Sequence, residues 1–303
     1  TVTVTSPAEG RVEADPPAPE RSDAPRGSAR TMPAPEGLRW FAGDFHSHSL
    51  HSDGTASLDQ LAHRAAANGL DFLAVTEHNT VSHHPHLPVV GERQGIHLLP
   101  GQEVTTARGH ANAFGDIGWI DFRSAADGWD AEVEARGGLL SLNHPLEGDC
   151  SWQHPLTSLP PVLEMWHIGW FQDLASTAMW GLWDRWRQDA SLVGGSDFHT
   201  PDQGYPPGTP TTWVAATDPS TDAILDAVRA GRTAMSWSPS PCPTLLRVDD
   251  EILALDADGT VMWDLDGRTR VIHGDRLSWP ADSLGRGPFR LESDKGHLLA
   301  ITP

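Results

Sequence analysis

Gly43-Asp44-Phe45-His46-Ser47-His48-Ser49-Leu50-His51-Ser52-Asp53-Gly54 is the stretch around which the chain is organised. It follows a short apolar run, Leu38 to Phe45, which reads as a β-strand. Side chains two residues apart on a strand point to the same face, so His46 and His48 present their imidazoles side by side. Asp53 adds a carboxylate in the turn that follows, and Gly54 lets the chain bend sharply after it. Two imidazoles with a carboxylate nearby are the start of a metal site, whose other ligands should come from further along the chain.

From Leu38 to about Ser238 the sequence alternates between strand and helix patterns. Residues 57–68 read as a helix, with Ser57 as its cap, Leu58, Leu61 and Ala65 on its apolar face and Gly69 as its stop. Leu70 to Thr76 reads as a buried strand running into Glu77-His78-Asn79, and Ile96 to Leu99 as another running into Gly101-Gln102-Glu103. A helix over 130–136 leads to strand 139–142, which ends in Asn143-His144-Pro145. Strand 162–166, a Trp-rich helix over 173–188 and a short strand at Leu192-Val193 lead to Gly194-Gly195-Ser196-Asp197-Phe198-His199. Strand 212–216, helix 221–230 and strand 233–236 close the series. Repeated β-then-α order argues for parallel strands closed into a barrel, which carries its site at the strands' C-terminal ends.

Composition bounds the rest. The chain has 303 residues and a formal net charge of −20, ample length for a core but the wrong sign for phosphate backbones or anionic lipid. No nucleic-acid duplex and no membrane is therefore expected as partner, and a cytoplasmic location is expected. The two cysteines, Cys150 and Cys242, are far apart and imply neither a disulfide framework nor a thiolate metal site. Residues 1–37 are rich in Pro, Ala and acids and read as an unstructured arm, a strand over 1–5 being the weaker alternative. Residues 38–238 form the main unit. Residues 239–303 read as a small antiparallel β appendage, with strands at 245–248, 252–255, 261–263, 270–272, 289–291 and 298–301. Asp256-Ala257-Asp258-Gly259 and Asp264-Leu265-Asp266-Gly267 look like hairpin turns; they lack the late glutamate of a calcium loop.

Ligand types at strand ends, in order, are His46, His48, Asp53, His78, Glu103, His110, His144, Asp197 and His199. Among sixteen histidines some such placements are coincidence, and His83, His84, His86 and His97 are read that way. The nine together exceed what one four- to six-coordinate ion uses and suit two or three. With no thiolate among them, zinc, manganese or iron fits.

In these motifs the sequence resembles the polymerase-and-histidinol-phosphatase (PHP) superfamily of metallohydrolases, and within it the carbaryl-hydrolase (CehA/McbA) group. The residues that carry the resemblance are Asp44-Phe45-His46-Ser47-His48, Ser52-Asp53-Gly54, Leu70 to Thr80, Gly101 to Thr106, Gly109-His110-Ala111-Asn112, Asn143-His144-Pro145 and Gly195 to His199. The resemblance implies an α/β fold, a distorted (β/α)7 TIM-like barrel (PHP fold), with a trinuclear metal centre of Zn, Mn or Fe. It implies that His46, His48, Glu103 and Asp197 hold one ion, Glu103, His110 and His144 a second, and Asp53, His78 and His199 a third, with Glu103 as the bridge. Asp197, His199 and Glu103 are then the catalytic candidates, Asp197 or His199 moving a proton.

Two departures stand out. Glu77 occupies a position where the family usually has Asp, and Glu164-Met165-Trp166-His167 stands where Glu-x-x-Asn is common. His167 then either touches substrate or water or simply packs. His51 reads as a neighbour of the site rather than a ligand. Arg108 and Arg232 are candidates for a phosphate oxygen and equally for ordinary surface arginines. The amidohydrolase barrels also open with His-x-His, but many bridge their metals with a lysine. Lys295 lies in the appendage and no other lysine exists.

The implied function is metal-dependent hydrolysis of a small molecule, with a phosphate ester as leading substrate class. A carbamate or carboxylic ester hydrolase on the same site is the alternative, and a non-catalytic metal-binding module the second.

Overall fold

The computed structural model describes residues 17–167, 169 and 178–303. The strand alternation of the sequence is realised as β1 (Arg39–Asp44), β2 (Phe72–His78), β3 (His97–Thr106), β4 (Gly109–Phe114), β5 (Leu139–Leu142), β6 (Val162–His167), β7 (Ser191–Gly195), β8 (Thr211–Ala216) and β9 (Thr233–Ser236). Helices α1 (Leu58–Ala67), α2 (Leu87–Gln94), α3 (Trp129–Ala135), α4 (Ala178–Trp183) and α5 (Thr221–Arg229) connect several of them. The helix expected over 173–188 lies partly outside the described residues.

Local sequence explains these elements. Ser57 accepts the Gln60 N–H while the Gln60 side chain accepts the Ser57 N–H, a capping box that starts α1. Leu58, Leu61, Ala62, Ala65 and Ala66 are its buried face. Helix α2, which the sequence pattern did not reveal, is short and carries Pro88 in its first turn and left-handed Gly95 at its end. Strands β1 and β2 are buried on both faces, hence their continuous apolar runs. On β1, Trp40 and Ala42 pack with Leu61, Ala65 and Leu73, while Phe41 packs with Phe45, Phe72, Phe114 and Val214. Phe45 meets the Phe72 and Phe114 rings edge-on, each at 5.3 Å between centroids. Each such phenyl contributes about 1.5–3 kcal/mol by leaving water, and together they fix the floor beneath His46.

Pairing carries the expected α/β order but draws no closed barrel among the described residues. Strand order is β13-β12-β15-β16-β9-β8-β1-β2-β3-β4-β5-β6-β7 in one thirteen-stranded sheet, where β12 (Val261–Trp263), β13 (Thr269–Val271), β15 (Phe289–Glu292) and β16 (Leu298–Thr302) come from the C-terminal region. The β1–β2, β2–β3, β5–β6 and β6–β7 pairs are parallel. The β3–β4, β4–β5, β1–β8 and β8–β9 pairs are antiparallel. No ladder joins β7 to β1 among the described residues. Across that seam lie a hydrogen bond from Phe45 N to Gly194 O at 3.4 Å and a parallel bridge between Ser47 and Phe198. The α/β class holds; a closed barrel of parallel strands is not what the pairings draw.

Strand β3 is also longer than expected. Pro100 and Gly101 read as a strand end, yet the ladder with β2 runs through them from His97 to Glu103. It can do so because a strand residue alternates its hydrogen-bonding direction, and the Pro100 carbonyl still accepts from Gly115 N at 2.8 Å.

Residues 17–37 and the C-terminal strands are tied into the body. Residues 1–16 lie outside the described residues. Residues 17–37, expected to belong to an unstructured arm, are laid along the body instead. Gly27 N donates to Gly69 O at 2.7 Å, Ser28 N to Asp71 Oδ2 at 2.9 Å, and Trp40 Nε1 to Pro33 O at 2.7 Å. The C-terminal strands are antiparallel as expected. Of these, β10 (Thr244–Val248), β11 (Glu251–Leu255) and β14 (Arg276–Pro280) make a separate three-stranded sheet. Strand β16 instead pairs with β9, Ile301 opposite Met235, so this region continues the main sheet. Asp264 to Gly267 links the paired strands β12 and β13 as a hairpin. Asp256 to Gly259 does not, since it joins β11 to β12 of the other sheet. Strand β14 went unread because only Leu277 and Trp279 turn inward from it.

Candidate metal centre

Most of the candidate ligands gather where β1, β2, β5 and β7 end. His46 and His48 flank Ser47, whose bridge to Phe198 keeps the backbone extended past β1. Their ring centroids are 5.1 Å apart. His78 is the last residue of β2. Glu103 and His110 lie within β3 and β4, so neither is at a strand end. His144 follows β5, and Asp197 and His199 follow β7.

Buried Asp44 organises this end of the sheet. It accepts from His46 N and Ser196 N, each at 3.0 Å, and from Gly208 N at 2.7 Å. Burial nevertheless raises its pKa to about 6, against the lowering effect of those bonds. Asn79, His144 and Asp197 hold positive φ of 52°, 23° and 46° at the ends of β2, β5 and β7. Such backbone is costly for residues other than glycine and is tolerated where surrounding structure over-determines it. Gly195 allows close approach: a Cβ there would lie 2.4 Å from both Glu164 Oε1 and His46 Cβ. Gly54 acts similarly, since a Cβ would stand 2.5 Å from the His48 carbonyl oxygen.

Glu103 is the hub. Its Oε1 lies 3.2 Å from His46 Nε2, 3.1 Å from His110 Nδ1 and 3.2 Å from His144 Nε2, and accepts from Asn143 Nδ2 at 3.0 Å. Its Oε2 lies 2.7 Å from His78 Nδ1 and 3.6 Å from His48 Nε2. Asp197 Oδ1 lies 3.0 Å from His48 Nε2 and 3.2 Å from His46 Nε2. Asp53 faces His78 Nε2 through Oδ2 at 3.4 Å and His199 Nε2 through Oδ1 at 3.3 Å. All nine residues singled out from the sequence thus stand in one connected constellation.

Whether the residues suit cations can be judged from their hydrogen bonds. His46 Nε2, both nitrogens of His48, His144 Nδ1 and Asp197 Oδ1 are buried without any hydrogen-bond partner. Glu164 Oε1 sits 3.0 Å from His46 Nδ1, which donates to it; a neutral ring then turns a lone pair on Nε2 toward Asp197 and Glu103. Likewise His199 Nδ1 donates to the Asp197 carbonyl at 2.8 Å, turning the Nε2 lone pair toward Asp53. Lone pairs facing carboxylates repel unless a positive charge lies between them. Ligand atoms about 2.1 Å from one cation, set 90–109° apart, would be spaced about 3.0–3.4 Å, close to the separations seen. The donor set fits divalent cations. His48, Asp53, His78 and His199 could hold one; His46, Glu103 and His144, or His46, His48 and Asp197, could hold another, and His78, Glu103 and His110 a further one.

The electrostatics agree. Burial disfavours charge on His46, but Asp197, Glu103 and Glu164 outweigh it and raise the ring's pKa well above its ordinary value, so that without a cation a proton on Nε2 would fill the same place between ring and carboxylates. Glu103 and Asp197 are also opposed by burial, yet His46 and the surrounding imidazoles hold both well below the usual carboxylate range. The cluster therefore keeps its negative charge and draws positive charge to itself.

Other candidates fall outside. His51 Nδ1 pairs with Ser82 Oγ at 2.8 Å and His97 Nε2 with Thr221 Oγ1 at 2.9 Å. Arg108 binds the Gln153 carbonyl at 2.6 Å and Arg232 the Ala215 carbonyl at 3.1 Å, so both are engaged with backbone. Lys295 stands in the turn between β15 and β16. Glu77, the departure after β2, is buried and accepts from the Ser49 and Ser52 hydroxyls, bracing the loop that carries Asp53. Glu164, which the sequence placed on a strand without a role, holds both His46 Nδ1 and, at 2.8 Å, the His144 backbone N–H. A buried carboxylate preceding His167 on the same strand was the signal available for it.

Comparison with known proteins bears on the same region. A profile of the PHP domain matches residues 44–149. A 5'-3' exoribonuclease of Haemophilus influenzae is 38% identical over 63 residues, 21% of this chain and 23% of the relative. A phosphoribosyl 1,2-cyclic phosphate 1,2-diphosphodiesterase of Eggerthella lenta is 37% identical over 62 residues, 20% of this chain and 24% of the relative. The chain thus spans about a quarter of the length of these curated relatives. A two-domain Bacteroides vulgatus protein, described as containing a predicted PHP-like metal-dependent phosphoesterase, superposes with a TM-score of 0.53 at 19% identity. That match covers 94% of this chain and 91% of the other, a likeness of fold. No described helix is long and apolar enough to cross a membrane.

Proposed function

We propose that this chain is a multinuclear metal-dependent hydrolase of small molecules, acting on phosphate esters. The observation that carries the reading is Glu103, a fully buried carboxylate whose two oxygens face different imidazoles, Oε1 those of His46, His110 and His144 and Oε2 that of His78. A carboxylate so placed suits a bridge between two cations. In this reading His46, His48, Glu103 and Asp197 hold one ion, Glu103, His110 and His144 a second, and Asp53, His78 and His199 a third. The PHP-domain match over residues 44–149 supports the phosphoester class. Within the PHP superfamily the finer expectation of a CehA/McbA-like enzyme, with zinc, manganese or iron, remains part of the proposal, and it is this subgroup that suggests the carbamate or ester alternative.

Bound divalent ions supply Lewis-acid polarisation of a phosphoryl oxygen and a nucleophilic hydroxide at neutral pH. The chain's own residues supply the rest. Glu164 fixes the His46 ring by accepting its Nδ1–H, and Asn143 fixes Glu103 through Oε1. The depressed pKa values of Glu103 and Asp197 keep both carboxylates charged across the neutral range. His199 is anchored through Nδ1, which donates to the Asp197 carbonyl, leaving its Nε2 for the ion it would share with Asp53. No serine or cysteine nucleophile is required.

The test is to load the purified chain with Zn²⁺, Mn²⁺ or Fe²⁺ and assay phosphomonoesters, phosphodiesters, carbamates and carboxylic esters side by side. Phosphoester turnover abolished by chelation and restored by metal is expected. Faster carbamate or ester turnover would replace the phosphoester reading, and no turnover with tight metal binding would favour a non-catalytic module.

A further inference from the structure

Asp197 gives its two oxygens separate work. Oδ1 faces His48 Nε2 at 3.0 Å and His46 Nε2 at 3.2 Å. Oδ2 faces away from that pair and lies 3.2 Å from Nε2 of His167, the last residue of β6. The other ring nitrogen of His167, Nδ1, accepts the backbone N–H of Gly169 at 3.1 Å. A neutral imidazole that accepts at Nδ1 carries its proton on Nε2. The Nε2–H of His167 therefore donates to Asp197 Oδ2.

We propose that His167 is a positioning residue: its Nε2–H occupies Asp197 Oδ2, so that Asp197 offers Oδ1 alone to a cation shared with His46 and His48. The inference rests on the metal-site reading above and adds a residue to it. A carboxylate with both oxygens free can swing or chelate with both, and either changes the charge and spacing that the His46–His48 pair meets. Hydrogen bonds of this kind around metal ligands set their orientation and basicity.

His144, His167 and Asp197 are also close enough to form a ligand group of their own. The hydrogen bonds argue against that role. Both nitrogens of His167 are occupied, whereas His46 Nε2, both nitrogens of His48 and His144 Nδ1 are buried with no partner. With Nδ1 accepting a backbone N–H and the proton on Nε2, the His167 ring has no lone pair left for a cation.

The experiment compares wild type with His167→Ala and His167→Gln, measuring stoichiometry and affinity for Mn²⁺ or Zn²⁺ by competition with a chromophoric chelator, with circular dichroism to report folding. His167→Ala should bind the full complement of ions, one of them about 10–100-fold more weakly. His167→Gln, whose amide N–H can reach Oδ2, should recover most of that affinity. In turnover, kcat should follow the same order while KM changes little. If His167→Ala folds poorly, His167→Met fills the space without a donor and takes its place. Unchanged affinity in the donor-free variant overturns the proposal. Loss of one whole ion in both His167→Ala and His167→Gln makes His167 a ligand and also overturns it. A wild type that binds no divalent ion overturns the metal-site reading itself, an outcome distinct from either.

Discussion

Glu164 Oε1 lies 3.0 Å from His46 Nδ1, and that contact decides where His46 points its other nitrogen. With Nδ1–H given to Glu164, the Nε2 lone pair faces Asp197 and Glu103. The same carboxylate uses Oε2 to accept the His144 backbone N–H at 2.8 Å, in the residue whose φ is 23°. One buried side chain thus fixes the His46 ring and the backbone that carries His144.

Glu164→Gln keeps the size but turns an amide N–H toward one of these two donors. It should weaken metal binding about 10–100-fold while leaving the stoichiometry at saturation unchanged. Isothermal titration or chelator competition reads this directly; affinity within twofold of wild type would show that Glu164 orients neither ring.

Asp71 carries the hold of the N-terminal segment. Its Oδ2 accepts from Ser28 N at 2.9 Å and Ala42 N at 2.8 Å, and Oδ1 accepts from the Ser28 hydroxyl. Asp71→Ala strands the Ala42 N–H inside the body and frees the segment. Leaving a buried donor unpaired costs about 1–3 kcal/mol. Urea unfolding should show a loss of that size for Asp71→Ala and a smaller one for Ser28→Ala. A chain starting at Leu38 should be less stable than the full chain, and equal stability of the two would show that residues 17–37 contribute nothing.

His83 gives a pH dependence with a definite sign. Its ring is buried, with Nε2 donating to Val75 O at 3.0 Å, and burial together with neighbouring His84 lowers its pKa to about 3. Unfolded, a histidine titrates near about 6.5. A folded pKa below the unfolded one means that the neutral ring stabilises the fold above about pH 6.5, and this is lost as pH falls toward 3. The loss approaches about 1.4 kcal/mol per pH unit at most. Replacing the ring in His83→Gln removes the term, so the stability gap between wild type and variant should narrow steadily from pH 6.5 to 4.5. A gap independent of pH over that interval would refute this account.

Much of this arrangement is legible in the chain, for identifiable reasons. His46 and His48 share a face because strand geometry has a period of two, and the sequence shows that period. His78, His144, Asp197 and His199 lie just beyond apolar runs, which mark strand ends without any knowledge of pairing. Glu103 and His110 were harder. Pro100-Gly101 resembles a strand end, and only the pairing with β2 and β4 reveals that β3 continues through it. Composition misjudged residues 17–37 because it weighs apolar burial against entropy and cannot see one acceptor, Asp71, waiting for two backbone donors. The roles of Glu164 and His167 depend on which oxygen meets which nitrogen, and only coordinates hold that information. That β7 and β1 meet through a single bridge rather than a ladder among the described residues is likewise a matter of long-range pairing.

Glu103 supports the strongest prediction, since it joins the groups that would hold different ions. Oε1 serves His46, His110 and His144; Oε2 serves His78 and, at longer range, His48. Glu103→Gln preserves volume, and its amide oxygen can still face one side. It loses the negative charge, and its NH₂ faces imidazole nitrogens that should meet an acceptor or a cation. Two effects follow. Cation charge near the reacting oxygen is less well balanced and less well placed, so turnover should fall at least ~100-fold, the scale on which preorganised electrostatic groups act. The spacing between ions is also no longer fixed by a single carboxylate, so excess metal should restore occupancy without restoring rate. The measurement is kcat at saturating substrate across a metal titration, beside metal content per chain. A rate that returns to wild type as metal is added would mean Glu103 contributes affinity alone, and the bridging role would be withdrawn.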